Sequence, residues 1–153
     1  MSVQEQQELK KKYYSEALRY MENAKECLQR TSIEYNRYSD PKYVKMACGT
    51  AYSGVLVALD CFLILNGIHK PTRKERKSIE YYQKNLGKLD RKILGMLNDT
   101  YQILHLSGYY DGIQNVEVIK VGFKNANALI EKIKPKGIND TTEQTDFVDV
   151  SKS

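Results

Sequence analysis

The sequence predicts an all-α fold, an up-and-down bundle of four long helices plus one short helix. Three observations lead there. Apolar residues recur every three or four positions along most of the 153-residue chain, the spacing that collects them on one helix face. Gly and Pro are absent through residue 40, and capping residues precede the later periodic runs. Almost no segment alternates with period two, so no sheet is expected. A composition of 41% hydrophobic and 28% charged residues suits a globular chain with one core.

The first helix starts at a capping box, Ser2-x-x-Glu5, in which hydroxyl and carboxylate satisfy each other's free amides. Leu9, Tyr13, Ala17, Tyr20, Ala24 and Leu28 then form its apolar face, and the helix runs out between Arg30 and Asp40. Asp40 and Pro41 are the N-cap and N1 residues of a second helix, which reaches Asn66 with Gly67 just beyond its end. Val55 to Leu65 is apolar on nearly every side except at Asp60, which makes this helix central. Ala47, Ala51, Gly54 and Ala58 form a small-residue stripe that admits a neighbouring helix closely. Asp60 reads either as a functional carboxylate inside the bundle or as part of a local polar network.

Thr72-x-x-Glu75 is a second capping box, followed by a short helix from Arg73 to Asn85. Leu86, Leu89, Ile93, Leu97, Thr100 and Leu104 form the seam of a third long helix ending near Ser107–Gly108. Asp111-x-x-Gln114 is positioned to cap the fourth, which carries Val116, Ile119, Phe123, Ala126, Ile130 and Ile133 and stops at Pro135. The bundle domain is thus 1–134, and 135–153 is a polar, acidic, flexible tail with two lysines and four acids.

The chain carries a net charge of +5, and without the acidic tail its body is more basic still. The densest basic cluster is Lys70, Arg73, Lys74, Arg76 and Lys77, read either as a solvated turn or as a patch for RNA or a protein partner. Cys27, Cys48 and Cys61 form no C-x-x-C pair and sit in apolar helical patterns, as small buried hydrophobes of a reducing cytosol do. The N-terminus has no apolar h-region and no run of 18 apolar residues occurs, so a cytoplasmic protein without a membrane span is expected. His69 and His105 lack any metal-ligand spacing, and neither common phosphate-cradling glycine loop is present, so no cofactor, metal or catalytic set is assigned.

The chain has twelve tyrosines and no tryptophan. Three Tyr doublets occur, Tyr13-Tyr14, Tyr81-Tyr82 and Tyr109-Tyr110. Neighbours on a helix point about 100° apart, so one ring can enter the core while the other stays at its edge. Exposed rings beside Lys or Arg can instead stack on bases. The doublet at 109–110, in a turn between helices, is the best placed for that.

The order of elements resembles the HEPN superfamily of helical bundles over residues 8–134. The resemblance rests on YYSEALRYMENAKECL, on the small-residue helix DPKYVKMACGTAYSGVLVALDCFLILNG, on SIEYYQKNL, on a seam helix ending ILHLSGYYDG, and on VEVIKVGFKNANALIEKI. It implies a homodimer associated with toxin–antitoxin, defence or RNA-processing systems. The family's ribonucleases carry an Arg, then four to six intervening residues, then a His, at a dimer cleft. Here the positions required are Asn98, Asp99 and Thr100 before His105, and Phe62, Leu63 and Ile64 before His69, so the Arg is missing. His105 stands near the Arg position and Tyr109 or Tyr110 near the His position, and neither supplies a permanent cation for phosphate. The reading is therefore a non-catalytic HEPN-like binding or partner module. Its ligand cleft is expected at His105, Tyr109, Tyr110 and Asp111, with the basic cluster assisting. A divergent ribonuclease or nucleotide-processing enzyme, using His105 with Tyr109 or Tyr110 and a cation borrowed from a second subunit, and an assembly subunit using the tail, are the alternatives.

Overall fold

Helix α1 (Val3–Leu28) opens at Ser2, whose Oγ accepts the Glu5 N–H at 3.0 Å, one half of the expected capping box; the reciprocal bond to the Glu5 carboxylate is absent among the described residues. The computed structural model describes residues 1–76 and 78–138. Tyr14, Ala17, Met21, Ala24 and Leu28 form the buried stripe of α1. Tyr13 and Tyr20, expected on that face, lie at its edge. The cause is the approach to the second helix, α2 (Pro41–Leu65). A Cβ on Gly54 would come within 2.9 Å of Tyr20 Cβ and 3.2 Å of the Ala17 carbonyl. The two backbones nearly touch there, so Ala17 takes the contact line and the larger Tyr20 is turned aside.

Both ends of α2 match their sequence signals. Asp40 accepts the Lys42 N–H at 2.9 Å, and Gly67 takes a φ of +85° that favours glycine. Ala47, Ala51, Gly54 and Ala58 are all buried. Among the described residues α2 is the helix long and apolar enough to cross a membrane, and 56% of its most apolar window is buried inside the protein, as in a core helix.

Between α1 and α2 the expectation of no sheet is corrected. Ile33–Glu34 (β1) pairs antiparallel with Arg37–Tyr38 (β2) through the two-residue turn Tyr35–Asn36, both with positive φ, 52° and 60°. That is the twist a tight hairpin requires, and Asn tolerates it well. Strands of two residues are too short to show alternation. The hairpin docks on the segment before the last helix: Tyr38 N–H donates to Gln114 O at 2.8 Å, and Gln114 Nε2 donates to Tyr38 O at 2.8 Å.

The expected short helix is two pieces, α3 (Arg73–Arg76) and α4 (Ile79–Leu89), the second restarted by Ser78, whose Oγ accepts the Glu80 N–H. The expected third helix is divided as well. Asp90 closes α4 and opens α5 (Arg91–Thr100), its carboxylate accepting the Lys92 and Ile93 N–H groups. Leu86 and Ile93 stay seven residues apart and both buried across the break, so the apolar rhythm conceals it, while Leu89 is exposed. α5 then continues into ten π-helical residues, Tyr101–Tyr110. The Asp111 N–H reaches back five residues to Leu106 O at 3.0 Å.

Helix α6 (Val116–Lys132) buries the stripe expected of it, Ile133 included. Its cap is Asn115, which accepts the Val118 N–H at 3.0 Å, not the expected Asp111–Gln114 box. Gln114 is drawn away to the hairpin. Gly122 of α6 lets Ile103 and Leu104 of the π segment come close. Among the described residues the architecture is therefore mostly helical with one small hairpin, α2 packing against α1, α4, α6 and the π segment. Lys136 and Gly137 accept hydrogen bonds from Lys10 and Gln7 of α1. Of the tail expected over 135–153, residues 139–153 lie outside the described residues, as does Lys77 of the basic cluster.

Candidate functional site

The π segment carries four aromatic residues spaced by four or five, at 101, 105, 109 and 110. Its widened turn brings such positions into line along one side. His105 is stacked on Tyr101 at 5.0 Å between centroids and 22° between planes, and on Tyr109 at 5.6 Å and 18°. Tyr110 meets it edge-on at 5.0 Å, and Tyr52 of α2 lies 4.9 Å away. His105 is thus held among four tyrosine rings. Burial lowers its pKa below the ordinary 6.5, so the ring is neutral at neutral pH. Among the described residues its ring nitrogens have no hydrogen-bond partner.

The stack ends on Tyr109, which is 46% exposed, beside Tyr110, which is 62% exposed. Two glycines hold this end in place. A Cβ on Gly49 would meet the Tyr109 ring at 2.9 Å, so that ring lies directly on α2. Gly112, at φ +64°, receives the aliphatic stem of Lys45, whose Cε would be 2.7 Å from an added Cβ. The result is an open groove of about 380 Å³ whose lining includes Tyr20, Lys45, Tyr52, Ser53, His105 and Tyr109. Three of the four expected cleft residues, His105, Tyr109 and Tyr110, come together. Asp111 is exposed at the end of the π segment, outside the ring contacts.

The basic cluster lies at the other end of α2. Asp60, 1% exposed, accepts the Tyr82 hydroxyl at 2.8 Å and pairs with Arg76 at 3.0 Å. Burial raises the Asp60 pKa above its ordinary 3.8, while the Tyr82 hydrogen bond and the Arg76 charge pull it back. Arg76, although 44% exposed, is therefore committed to Asp60, while Lys70, Arg73 and Lys74 are exposed cations with no ion pair among the described residues. His69 is exposed and pairs with Glu75 at 3.1 Å. Thr72 and Glu75 complete the expected capping box, the Thr72 N–H donating to Glu75 Oε1 at 2.9 Å and the Glu75 N–H to Thr72 Oγ1 at 3.2 Å. From Tyr52 to the end of α2 at Leu65 is about 20 Å at 1.5 Å per residue. The structure does not merge the aromatic groove and the basic cluster into one cleft.

The three cysteines are buried, as expected. Burial pushes the Cys48 thiol up to about 12 and Cys61 to about 11, which leaves no thiolate at neutral pH. Among the described residues no group of three His, Cys, Asp or Glu side chains is placed to hold a metal. Sequence reasoning passed over Tyr52, Tyr101, Gly49 and Lys45. The spacing of Tyr101, His105 and Tyr109 was visible in the chain, but nothing local brings Tyr52 or Lys45 to them.

A solved structure described as a protein of unknown function from Dyadobacter fermentans is similar to this chain. The two are 39% identical with a TM-score of 0.70, over 82% of this chain and 95% of that one. No curated protein matches the sequence. The family model described as domain of unknown function DUF5618 matches residues 12–135, a stretch that includes α2, the π segment and both ends just described. The chain belongs to the DUF5618 family.

Proposed function

We propose that the chain is a non-catalytic binding module that holds single-stranded RNA on the exposed end of its aromatic stack. The observation that carries this reading is the continuous stack Tyr101–His105–Tyr109, terminating in a half-exposed ring beside Lys45. A base is the natural next ring in such a stack, and a neighbouring ammonium neutralises its phosphate. In this reading His105 is a spacer between two tyrosines, not an acid or base. The arrangement of the long helices as an up-and-down bundle of HEPN-like type, and the homodimer, belong to the same proposal and rest on the order of elements. The cytoplasmic location rests on the cysteine pattern.

The test is fluorescence anisotropy with a labelled single-stranded RNA octamer and the matching duplex. Preference for the single strand is expected, with affinity falling about tenfold in Tyr109→Ala, the usual worth of one stacked base. Lys45→Glu should weaken binding and flatten its salt dependence. Equal affinities for wild type and Tyr109→Ala would overturn the reading. The presence of Lys45 in the groove of His105 favours a divergent ribonuclease as the second reading. RNA cleavage that disappears in His105→Ala would select it.

A further inference from the structure

Another groove, about 560 Å³, lies at the far end of α2, between α4 on one side and α3 with the Gly67–His69 turn on the other. It shares no lining residue with the aromatic groove. Lys84 and Lys88 stand one turn apart on α4, and Lys74 of α3 lines the same groove. All three are exposed, and among the described residues none of them is in an ion pair. Two carboxylates, Glu75 and Glu80, also line it. Glu75 is already occupied by the Thr72 N–H and by His69. The lining carries three lysines against these two carboxylates, a net charge of +1, and the three ammonium groups, none in an ion pair among the described residues, favour an anion.

The floor is rigid. The Tyr81 hydroxyl donates to the His69 carbonyl at 2.9 Å, and buried Asn85 donates to the Tyr81 carbonyl at 2.8 Å. The α3 wall is only four residues long, yet Arg76 ties it to buried Asp60 and the Thr72–Glu75 box closes its start. Walls set before a ligand arrives reduce the ordering cost of binding.

We infer that this groove is a second, independent binding site, for a phosphoryl group of at least two negative charges held by Lys74, Lys84 and Lys88. The chemistry is shared by the head of a nucleoside diphosphate and by consecutive phosphates of an RNA strand. Its volume falls within the usual range of small-molecule sites.

The probe is inorganic pyrophosphate, titrated calorimetrically into the full chain. Wild type and Tyr109→Ala should bind it alike. The double variant Lys84→Gln/Lys88→Gln should bind at least tenfold more weakly, with an unchanged circular dichroism spectrum because both side chains are exposed. Competition then separates the sources. Displacement of pyrophosphate by ADP identifies a free nucleotide, and displacement by an RNA octamer alone identifies a strand backbone. Absence of pyrophosphate binding, equal binding by the double variant, or displacement by neither competitor overturns the proposal. Failure of the aromatic groove to bind RNA leaves these outcomes untouched, because the two grooves have no residue in common.

Discussion

The two ends of α2 are organised on different physics. At the Lys45–Tyr52 end, α2 meets the π segment through shape: rings stack on rings, Tyr109 lies on Gly49, and Gly108 sits against Cys48. At the Asp60–Leu65 end it meets α3 and α4 through charge: one buried carboxylate gathers a tyrosine hydroxyl and an arginine. Packing of the first kind is sensitive to a single added carbon and indifferent to salt. Contacts of the second kind tolerate volume change but fail when one partner is removed. The difference also sets what each end can bind. The aromatic end offers a flat ring face with one cation. The ionic end offers a groove lined by three lysines, none in an ion pair among the described residues.

The largest expected effect belongs to the ionic end. Asp60→Ala leaves the buried Tyr82 hydroxyl without its acceptor and Arg76 without its counter-charge. Urea denaturation should show a loss of about 3 kcal/mol, tempered by the partial exposure of Arg76. Asp60→Asn, which keeps an acceptor for Tyr82, should lose less. A cost as small as that of a surface substitution would show that α3 is not anchored there.

Next comes Gly108→Ala at the aromatic end. The added Cβ would lie 2.6 Å from Cys48 Cβ, and the expected loss is about 2 kcal/mol by overpacking. Because α2 and the π segment must separate to admit it, the near-ultraviolet dichroism of the tyrosines should change as well. In Asp60→Asn that signal should stay closer to wild type.

The two ends should also respond to pH with opposite sign. The pKa of His105 lies below its ordinary 6.5, so the folded chain binds this proton less readily than the unfolded one. Its contribution to stability is complete above 6.5 and is lost as pH falls through the folded-state value. The pKa of Asp60 lies above its ordinary 3.8, so the folded chain binds that proton more readily. Its contribution is complete below 3.8 and is lost as pH rises through the folded-state value. Relative to His105→Phe, wild type should therefore lose ground on acidification. Relative to Asp60→Asn it should lose ground as pH rises. Parallel trends in the two comparisons would show that the ends are not electrostatically distinct.

The smallest effect is a control on α5, just before the π segment. Nothing lies within 4 Å of a Cβ added to Gly95. Gly95→Ala should raise stability by about 0.5–1 kcal/mol, since an unconstrained helical glycine costs that much relative to alanine. A loss would mean that the junction of α5 with the π segment needs the glycine.

Much of this was legible in the chain, for a definite reason. The Ser2, Asp40 and Thr72–Glu75 caps act on atoms within three residues of themselves, and each makes its hydrogen bond as its sequence position implies. The stripe from Val116 to Ile133 needed only a constant helical period. Where a signal had two candidate partners, proximity in sequence misled. Gln114 left Asp111 for Tyr38, because the hairpin presented an unpaired carbonyl there. The break at Asp90 was hidden because the apolar rhythm continues across it.

The sequence by itself determined the caps at Ser2, Asp40 and Thr72–Glu75, the end of α2 at Gly67, the apolar stripes of α2 and α6, and the burial of the cysteines. Those outcomes depend on neighbours in the chain and on transfer from water, both properties of short segments. Only the tertiary structure decided that Tyr52 and Lys45 join His105 and Tyr109, that Arg76 turns inward to Asp60, and that the basic cluster and the aromatic groove lie at opposite ends of one helix. Those outcomes depend on which distant surfaces pack together, and glycines at 49, 54, 108, 112 and 122 set how closely. A missing side chain has a meaning only once the structure shows what occupies its place.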